Sequence, residues 1–125
     1  MVKSIISVII ASLLLFTASI LEQKYINDTF TELKESFVII YKKIESDSAV
    51  KEDILSAQKL WISKKEKLHI FISHNEIKEV DLWIAETVTL VENDKKEDAI
   101  SKIDVVVELM EQIPKSFSFR VENLL

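Results

Sequence analysis

The sequence predicts an all-α protein in which one N-terminal transmembrane helix continues into an antiparallel bundle of about four helices. Three observations predict this class. The 125 residues include no glycine and one proline, so little interrupts a helix. Residues 4–21 are uncharged and mostly apolar. Beyond them, apolar residues recur at spacings of three and four, in stripes that change phase at short polar segments.

The N-terminal apolar segment starts after Lys3 and ends before Glu22. About 20 helical residues span about 30 Å, which is the thickness of the hydrocarbon core of a bilayer. The amino terminus and Lys3 are expected to stay in the cytoplasm, which places the rest of the chain outside. The sequence therefore predicts a single-pass protein of the cell membrane with its C-terminal domain outside the cytoplasm.

Two other interpretations of this segment remain open. A cleaved signal peptide has an apolar core of about 7–15 residues and a small-x-small exit, whereas this core is longer and Thr17-Ala18-Ser19 is a poor exit. A buried helix of a soluble protein is the third interpretation. We favour retention, and assign residues 1–22 to a membrane anchor (or uncleaved signal) and residues 23–125 to an extracytoplasmic helical bundle with an apolar C-terminal tail.

The first helix is predicted to run on from the anchor to about residue 45, because one of its faces is apolar. That face carries Ile26, Phe30, Leu33, Phe37, Ile40 and Ile44. The polar segment that follows offers Asp47 or Ser48 as the cap of a second helix. Its stripe consists of Ile54, Ala57, Trp61, Leu68 and Ile72. Lys65 lies within this stripe, and its ammonium group is expected to reach water.

A corner is predicted at Ser73, because the next apolar stripe is rotated by about 120° from the previous one. That stripe consists of Ile77, Val80, Ile84, Val88 and Val91. Ser73 and Glu76 have the spacing of a capping box, and Ile72 and Ile77 flank them as a hydrophobic staple. His74 is then the first residue of a third helix.

The fourth helix is predicted to start near Asp94, which repeats the cap spacing with Glu97. Its stripe consists of Ala99, Ile103, Val106, Met110 and Ile113. Pro114 lacks an N–H group and is expected to end the helix. The apolar tail that follows is expected to lie back on the bundle, extended or as a short turn.

A second apolar row on the third helix consists of Trp83, Thr87 and Leu90, roughly opposite its main stripe. A helix that is apolar on two sides is either central in a bundle or exposed to a partner. The first interpretation places the row between other helices. The second makes it a possible partner-binding face, because exposed aromatic patches mark interfaces.

Composition argues against several classes of function. The net charge is −5 with no basic tract, so a surface for nucleic acid is not expected. Without glycine there is no phosphate-binding loop, and without cysteine no disulfide or thiolate site. Glu66 and His69 have E-x-x-H spacing, but a di-iron bundle needs a second such pair and two more glutamates. We expect no catalytic, cofactor-binding or metal-binding residues, and no enzyme activity.

Five short motifs in order along the chain carry a family resemblance. They are Trp61, the HNEI of residues 74–77, Asp94 to Ala99, the EQIP of residues 111–114, and the terminal ENLL. With them the chain resembles domain-of-unknown-function family 4363, a group of small, N-terminally anchored helical proteins of spore-forming Gram-positive bacteria. The resemblance implies an exported, anchored helical domain and assigns no catalytic residue.

These features predict a non-enzymatic protein-interaction or structural module at the cell envelope. Its partners would be the membrane, through the N-terminal helix, and an unknown protein or a second copy of the chain. The alternative is a sensory bundle that holds a small ligand between its helices. That alternative needs polar groups directed inward, for which Lys65 and Asp81 are the candidates.

Overall fold

A computed structural model of the chain describes residues 1–124, and these residues form four α-helices. The helices are α1 (Val2–Glu45), α2 (Lys51–Leu68), α3 (His74–Glu92) and α4 (Lys96–Leu124). The described residues contain no strand. The all-α prediction is confirmed, and so is the number of helices.

The helices form a ring in which each packs against its two neighbours. α1 contacts α2 and α4, and α3 contacts the same two helices, with no direct contact between α1 and α3 in residues 1–124. Connections of three to five residues make consecutive helices antiparallel. The buried stripes meet in one core. The fold is therefore the predicted antiparallel bundle.

α1 is twice as long as its packed part. Every residue from Val2 to Ala18 is exposed, and Ile26 is the first buried residue of the helix. We call residues 2–18 the stem and residues 19–124 the body. α1 is the one helix in the described chain that is long and apolar enough to cross a membrane, and a signal sequence near an N-terminus has the same properties. At 1.5 Å per residue the helix is about 66 Å long.

The ends of α1 and α3 furthest from the stem close in the same way, with an aspartate at positive φ. Asp47 has a φ of 57° and Asp94 a φ of 53°. The Asp47 N–H donates to Ile44 O (3.2 Å) and the Ser48 N–H to Lys43 O (2.9 Å). This is the Schellman arrangement, which satisfies the last carbonyls of a helix and is usually made by glycine.

These corners correct two predicted caps. Asp47 and Ser48 end α1 and do not cap α2, whose N-cap is Val50. The Asp53 carboxylate accepts from the Val50 N–H at 2.9 Å and so supplies the polar contact at this helix start. Asp94 likewise ends α3. The reason is that aspartate tolerates the left-handed conformation, which a chain without glycine must assign to another residue.

The corner at Ser73 is confirmed, together with its capping box. The Glu76 N–H donates to Ser73 Oγ (3.3 Å), and the Ser73 N–H donates to Glu76 Oε2 (3.3 Å). α3 begins at His74, as predicted. Ile72 and Ile77 are both buried on either side of the box. Local chemistry over six residues thus determines where α2 and α3 separate.

The prediction that Pro114 ends the last helix is wrong, because α4 continues through it to Leu124. A proline inside a helix costs about 3 kcal/mol, since it removes one hydrogen bond and crowds the preceding turn. Here the apolar stripe stays in phase, with Pro114 and Phe117 buried and Val121 packed on the core. Burial of a phenylalanine contributes about 1.5–3 kcal/mol. Tertiary packing therefore offsets the local penalty.

Replacement of Pro114 by alanine is expected to stabilise the protein by about 1 kcal/mol. Alanine restores the N–H group and removes a penalty of about 3 kcal/mol, while the loss of two buried methylene groups costs about 1.6 kcal/mol. The measurement is the denaturation midpoint of the full chain in detergent, followed by circular dichroism. Pro114→Gly is the matched control and should be about 1 kcal/mol less stable than Pro114→Ala. A lower midpoint for Pro114→Ala than for the wild type would contradict a continuous α4.

Ion pairs on the rim join every pair of neighbouring helices. Each such exposed pair contributes about 0–1 kcal/mol, so their main effect is to favour one register over others. One pair at each seam is Lys34–Glu111 between α1 and α4, Lys64–Glu32 between α2 and α1, Lys65–Asp81 between α2 and α3, and Lys102–Glu86 between α4 and α3.

Candidate functional surface

The row Trp83, Thr87 and Leu90 lies at the contact between α3 and α4. Thr87 is fully buried, and its hydroxyl donates to Trp83 O at 2.8 Å. Trp83 and Leu90 are half-buried and pack against the core. This placement agrees with the interpretation that the row is held between helices. Binding of a partner at this row stays a prediction.

The outer side of Trp83 is covered by a lysine from α4. Lys102 Nζ lies 4.7 Å from the centre of the Trp83 ring, and the same ammonium group is 3.6 Å from Glu86 Oε2. A cation over an indole face contributes about 0.5–1 kcal/mol at an exposed site. Sequence reasoning missed Lys102, since the pairing depends on the register between α3 and α4. A shallow apolar groove lies between α3 and α4, beside Leu90, and is open to solvent.

A polar cluster joins α2 to α3 at the edge of the core. Trp61 is fully buried and its indole N–H donates to Asp81 Oδ1 at 2.6 Å. Lys65 Nζ lies 3.2 Å from Asp81 Oδ2. Lys65 therefore reaches the rim, as its place in the stripe predicts. The Asp81 carboxylate therefore accepts from both the Trp61 indole and the Lys65 ammonium group.

The two histidines meet at the corner between α2 and α3. Their rings stack with centres 5.7 Å apart. On one continuous helix His69 and His74 would diverge, and the corner is what brings them together. Both side chains are exposed. Within residues 1–124, no group of three or more histidine, aspartate or glutamate side chains has an arrangement that could hold a metal ion.

Two carboxylates are held in the charged form. The hydrogen bond from the Val50 N–H, and then the one from Lys43, lower the pKa of Asp53. Hydrogen bonds from Lys115 and Lys34 lower the pKa of Glu111. A general acid at neutral pH needs the opposite shift. The Asp53 carboxylate thus stabilises a helix start, and the Glu111 carboxylate stabilises the α1–α4 seam.

Substitution of Asp53 by alanine is expected to lower the free energy of unfolding by about 1 kcal/mol at neutral pH, as for other helix-start contacts. Because the folded-state pKa is below the unfolded value, this contribution is present above about pH 4 and is lost as the pH falls through the folded pKa. Chemical denaturation at several pH values measures the difference from wild type. Glu52→Ala, at the exposed neighbour, is the control. A difference that stays constant down to about pH 3 would contradict this assignment.

A depression of about 170 Å³ lies at the end of the body furthest from the stem. Its walls include Asp47 and Asp94, the two residues at positive φ, together with Lys95 and Lys96. Lys96 Nζ lies 3.0 Å from Asp47 Oδ1. The charges on its wall are thus at least partly paired, and the depression is open to solvent.

Comparison with known proteins gives one match. Residues 20–124 match the model of a family described as Domain of unknown function (DUF4363). No curated protein and no solved structure matches the chain. The match begins just beyond the stem and covers all of the body except its first residue.

Proposed function

The chain belongs to the DUF4363 family, and from this premise we propose that it is a membrane-anchored interaction or structural module of the cell envelope. In this proposal residues 1–22 cross the membrane once and residues 23–125 lie outside the cytoplasm. The observation that carries it is the geometry of α1. A fully exposed apolar stem continues without interruption into the first helix of a packed bundle.

The proposed role is non-enzymatic. It is supported by the body, where the buried core is almost entirely apolar and polar groups at its edge pair with one another. Trp61, Lys65 and Asp81 are the clearest case. The alternative of a ligand held between the helices needs Lys65 or Asp81 to face inward, and the pairing of these two residues at the rim gives it no support.

Labelling of single cysteines tests the proposed topology, because the chain has no cysteine of its own. Ser101→Cys lies on an exposed face of α4 and Val2→Cys lies at the start of the stem. A membrane-impermeant maleimide should label position 101 in intact cells and position 2 only after lysis. Labelling of position 101 only after lysis would overturn the outside location.

Photo-crosslinking tests the interaction role. A photoreactive phenylalanine analogue is placed at Leu90, beside the groove between α3 and α4, with Ile39 on the exposed side of α1 as the matched position. We expect a discrete adduct at Leu90 and none at Ile39. An adduct with the mass of two chains indicates self-association, and another mass indicates a second protein. Absence of a discrete adduct at both positions would count against an interaction module.

A further inference from the structure

Three large apolar side chains are exposed at the end of the body from which the stem emerges. Ile70 is 76% exposed, Phe119 is 65% exposed and Leu124 is 86% exposed. Ile70 belongs to the corner between α2 and α3, and the other two belong to the last two turns of α4. We call these three residues the stem-end cluster. Sequence reasoning missed them, because they come together only through the topology.

The level of this cluster along α1 follows from aromatic contacts. The ring of Phe71 lies 6.0 Å from that of Tyr25 on α1 and 6.2 Å from that of Phe117 on α4. The α2–α3 corner and Phe117 therefore meet α1 at Tyr25. From there α4 runs seven further residues to Leu124, and α1 runs seven residues back to Ala18.

Both stretches are helical and point toward the stem, so each covers about 10 Å at 1.5 Å per residue. Leu124 is thus level with Ala18, which lies within the uncharged segment of residues 4–21. By the same count Phe119 is level with residue 23. Ile70, beside Phe71, is level with about residue 25.

We propose that the stem-end cluster is embedded in the interfacial layer of the lipid bilayer, as a second membrane contact beside the stem. This inference rests on the proposed anchor. With residue 21 at the edge of the hydrocarbon, Leu124 lies about 4 Å inside it, Phe119 about 3 Å outside and Ile70 about 6 Å outside. The interfacial layer is about 5–7 Å thick on each side, so all three side chains reach lipid.

The one arginine next to the cluster has a partner within the body. Arg120, the neighbour of Phe119, has its guanidinium 3.5 Å from Glu76 Oε2. The positive charge beside Phe119 is therefore balanced by a carboxylate of the body. Other exposed apolar side chains lie elsewhere: Ile39, for example, is fourteen residues beyond Tyr25 on α1, or about 21 Å along the helix.

Depth measurement by fluorescence quenching tests the inference on the full chain. Ile70→Cys, Phe119→Cys, Ile39→Cys and Leu13→Cys are each labelled with an environment-sensitive dye. The proteins are reconstituted in phosphatidylcholine vesicles that carry a nitroxide either on the headgroup or within the acyl chain. We expect the headgroup nitroxide to quench positions 70 and 119 several-fold more than position 39. The acyl-chain nitroxide should quench position 13.

The outcomes separate this inference from the anchor on which it rests. Quenching at position 13, with positions 70 and 119 quenched no more than position 39, overturns the interfacial contact and leaves the anchor intact. Absence of quenching at position 13 overturns the anchor and the interfacial contact together. A third outcome is that the dye at positions 70 and 119 reports a less polar environment as the protein concentration rises, without quenching by lipid nitroxides. This result assigns the cluster to a contact with a second copy of the chain and overturns the lipid contact.

Discussion

The double substitution Ile9→Lys and Leu13→Lys is expected to release the protein from membranes while leaving its body folded. Twelve of residues 2–21 are valine, isoleucine, leucine or phenylalanine, and together they favour insertion by roughly 4–7 kcal/mol. Each change from an aliphatic residue to lysine near the bilayer centre costs about 3–4 kcal/mol, so two cost about 6–8 kcal/mol. The two changes together cancel the driving force for insertion.

The measurement is the fraction of protein that stays in the membrane pellet after an alkaline carbonate wash. Ile9 and Leu13 are exposed and lie outside the body, so helix content and the unfolding midpoint of the released protein should match those of the wild type. Ile39→Lys is the control, because it adds a charge at an exposed position of the body. An unchanged pellet fraction for the double variant would contradict a membrane-embedded stem.

Substitution of Trp61 by alanine is expected to destabilise the body by about 3–5 kcal/mol, the range for a large aromatic residue in a core. Trp61 is the largest of the fully buried side chains. Its removal leaves a cavity between α2 and the core and also takes away the donor to Asp81. A loss of this size is a large part of the total stability of a small domain.

The measurement is the unfolding free energy in detergent from chemical denaturation, followed by circular dichroism so that the second tryptophan does not contribute. Trp61→Phe separates the two causes, since it keeps most of the volume and loses only the hydrogen bond to a charged acceptor, about 1.5–3 kcal/mol. Ile62→Ala, at the exposed neighbour, should change the free energy by less than about 0.5 kcal/mol. A loss below about 1 kcal/mol for Trp61→Ala would contradict its place in the core.

The helices and the core were predictable because their signal is repeated along the sequence. Each stripe places an apolar residue every three or four positions, and the residues named for the four stripes are buried, apart from a half-buried Val91. The start of α3 was predictable for another reason. Ser73 and Glu76 lie three residues apart and satisfy each other's backbone groups, so the whole interaction lies within one stretch of chain.

Predictions from neighbouring residues alone were wrong at three positions, namely Asp47, Asp94 and Pro114. An aspartate can either cap the next helix or adopt positive φ at the end of the previous one, and the sequence around it is compatible with both. Pro114 obeys a local rule against helix interiors, but burial of its neighbours in three dimensions outweighs it.

Contacts between helices were the part that sequence reasoning could not supply. The hydrogen bond from Trp61 to Asp81 and the placement of Lys102 over Trp83 each depend on how two helices are shifted along one another. A shift of one turn, about 5.4 Å, would break both. The stem-end cluster has the same origin, since Ile70 and Phe119 are far apart in the chain.

Because α1 is continuous, it fixes the rotation of the body about the helix axis relative to the stem, as well as the distance between them. Each residue of an α-helix turns the chain by about 100°, so one alanine inserted between Ala18 and Ile26 would swing everything beyond it by that angle around the helix axis. Insertion of seven residues would restore the original heading to within about 20°. The number of residues in α1 therefore determines the direction in which each face of the body points relative to the stem.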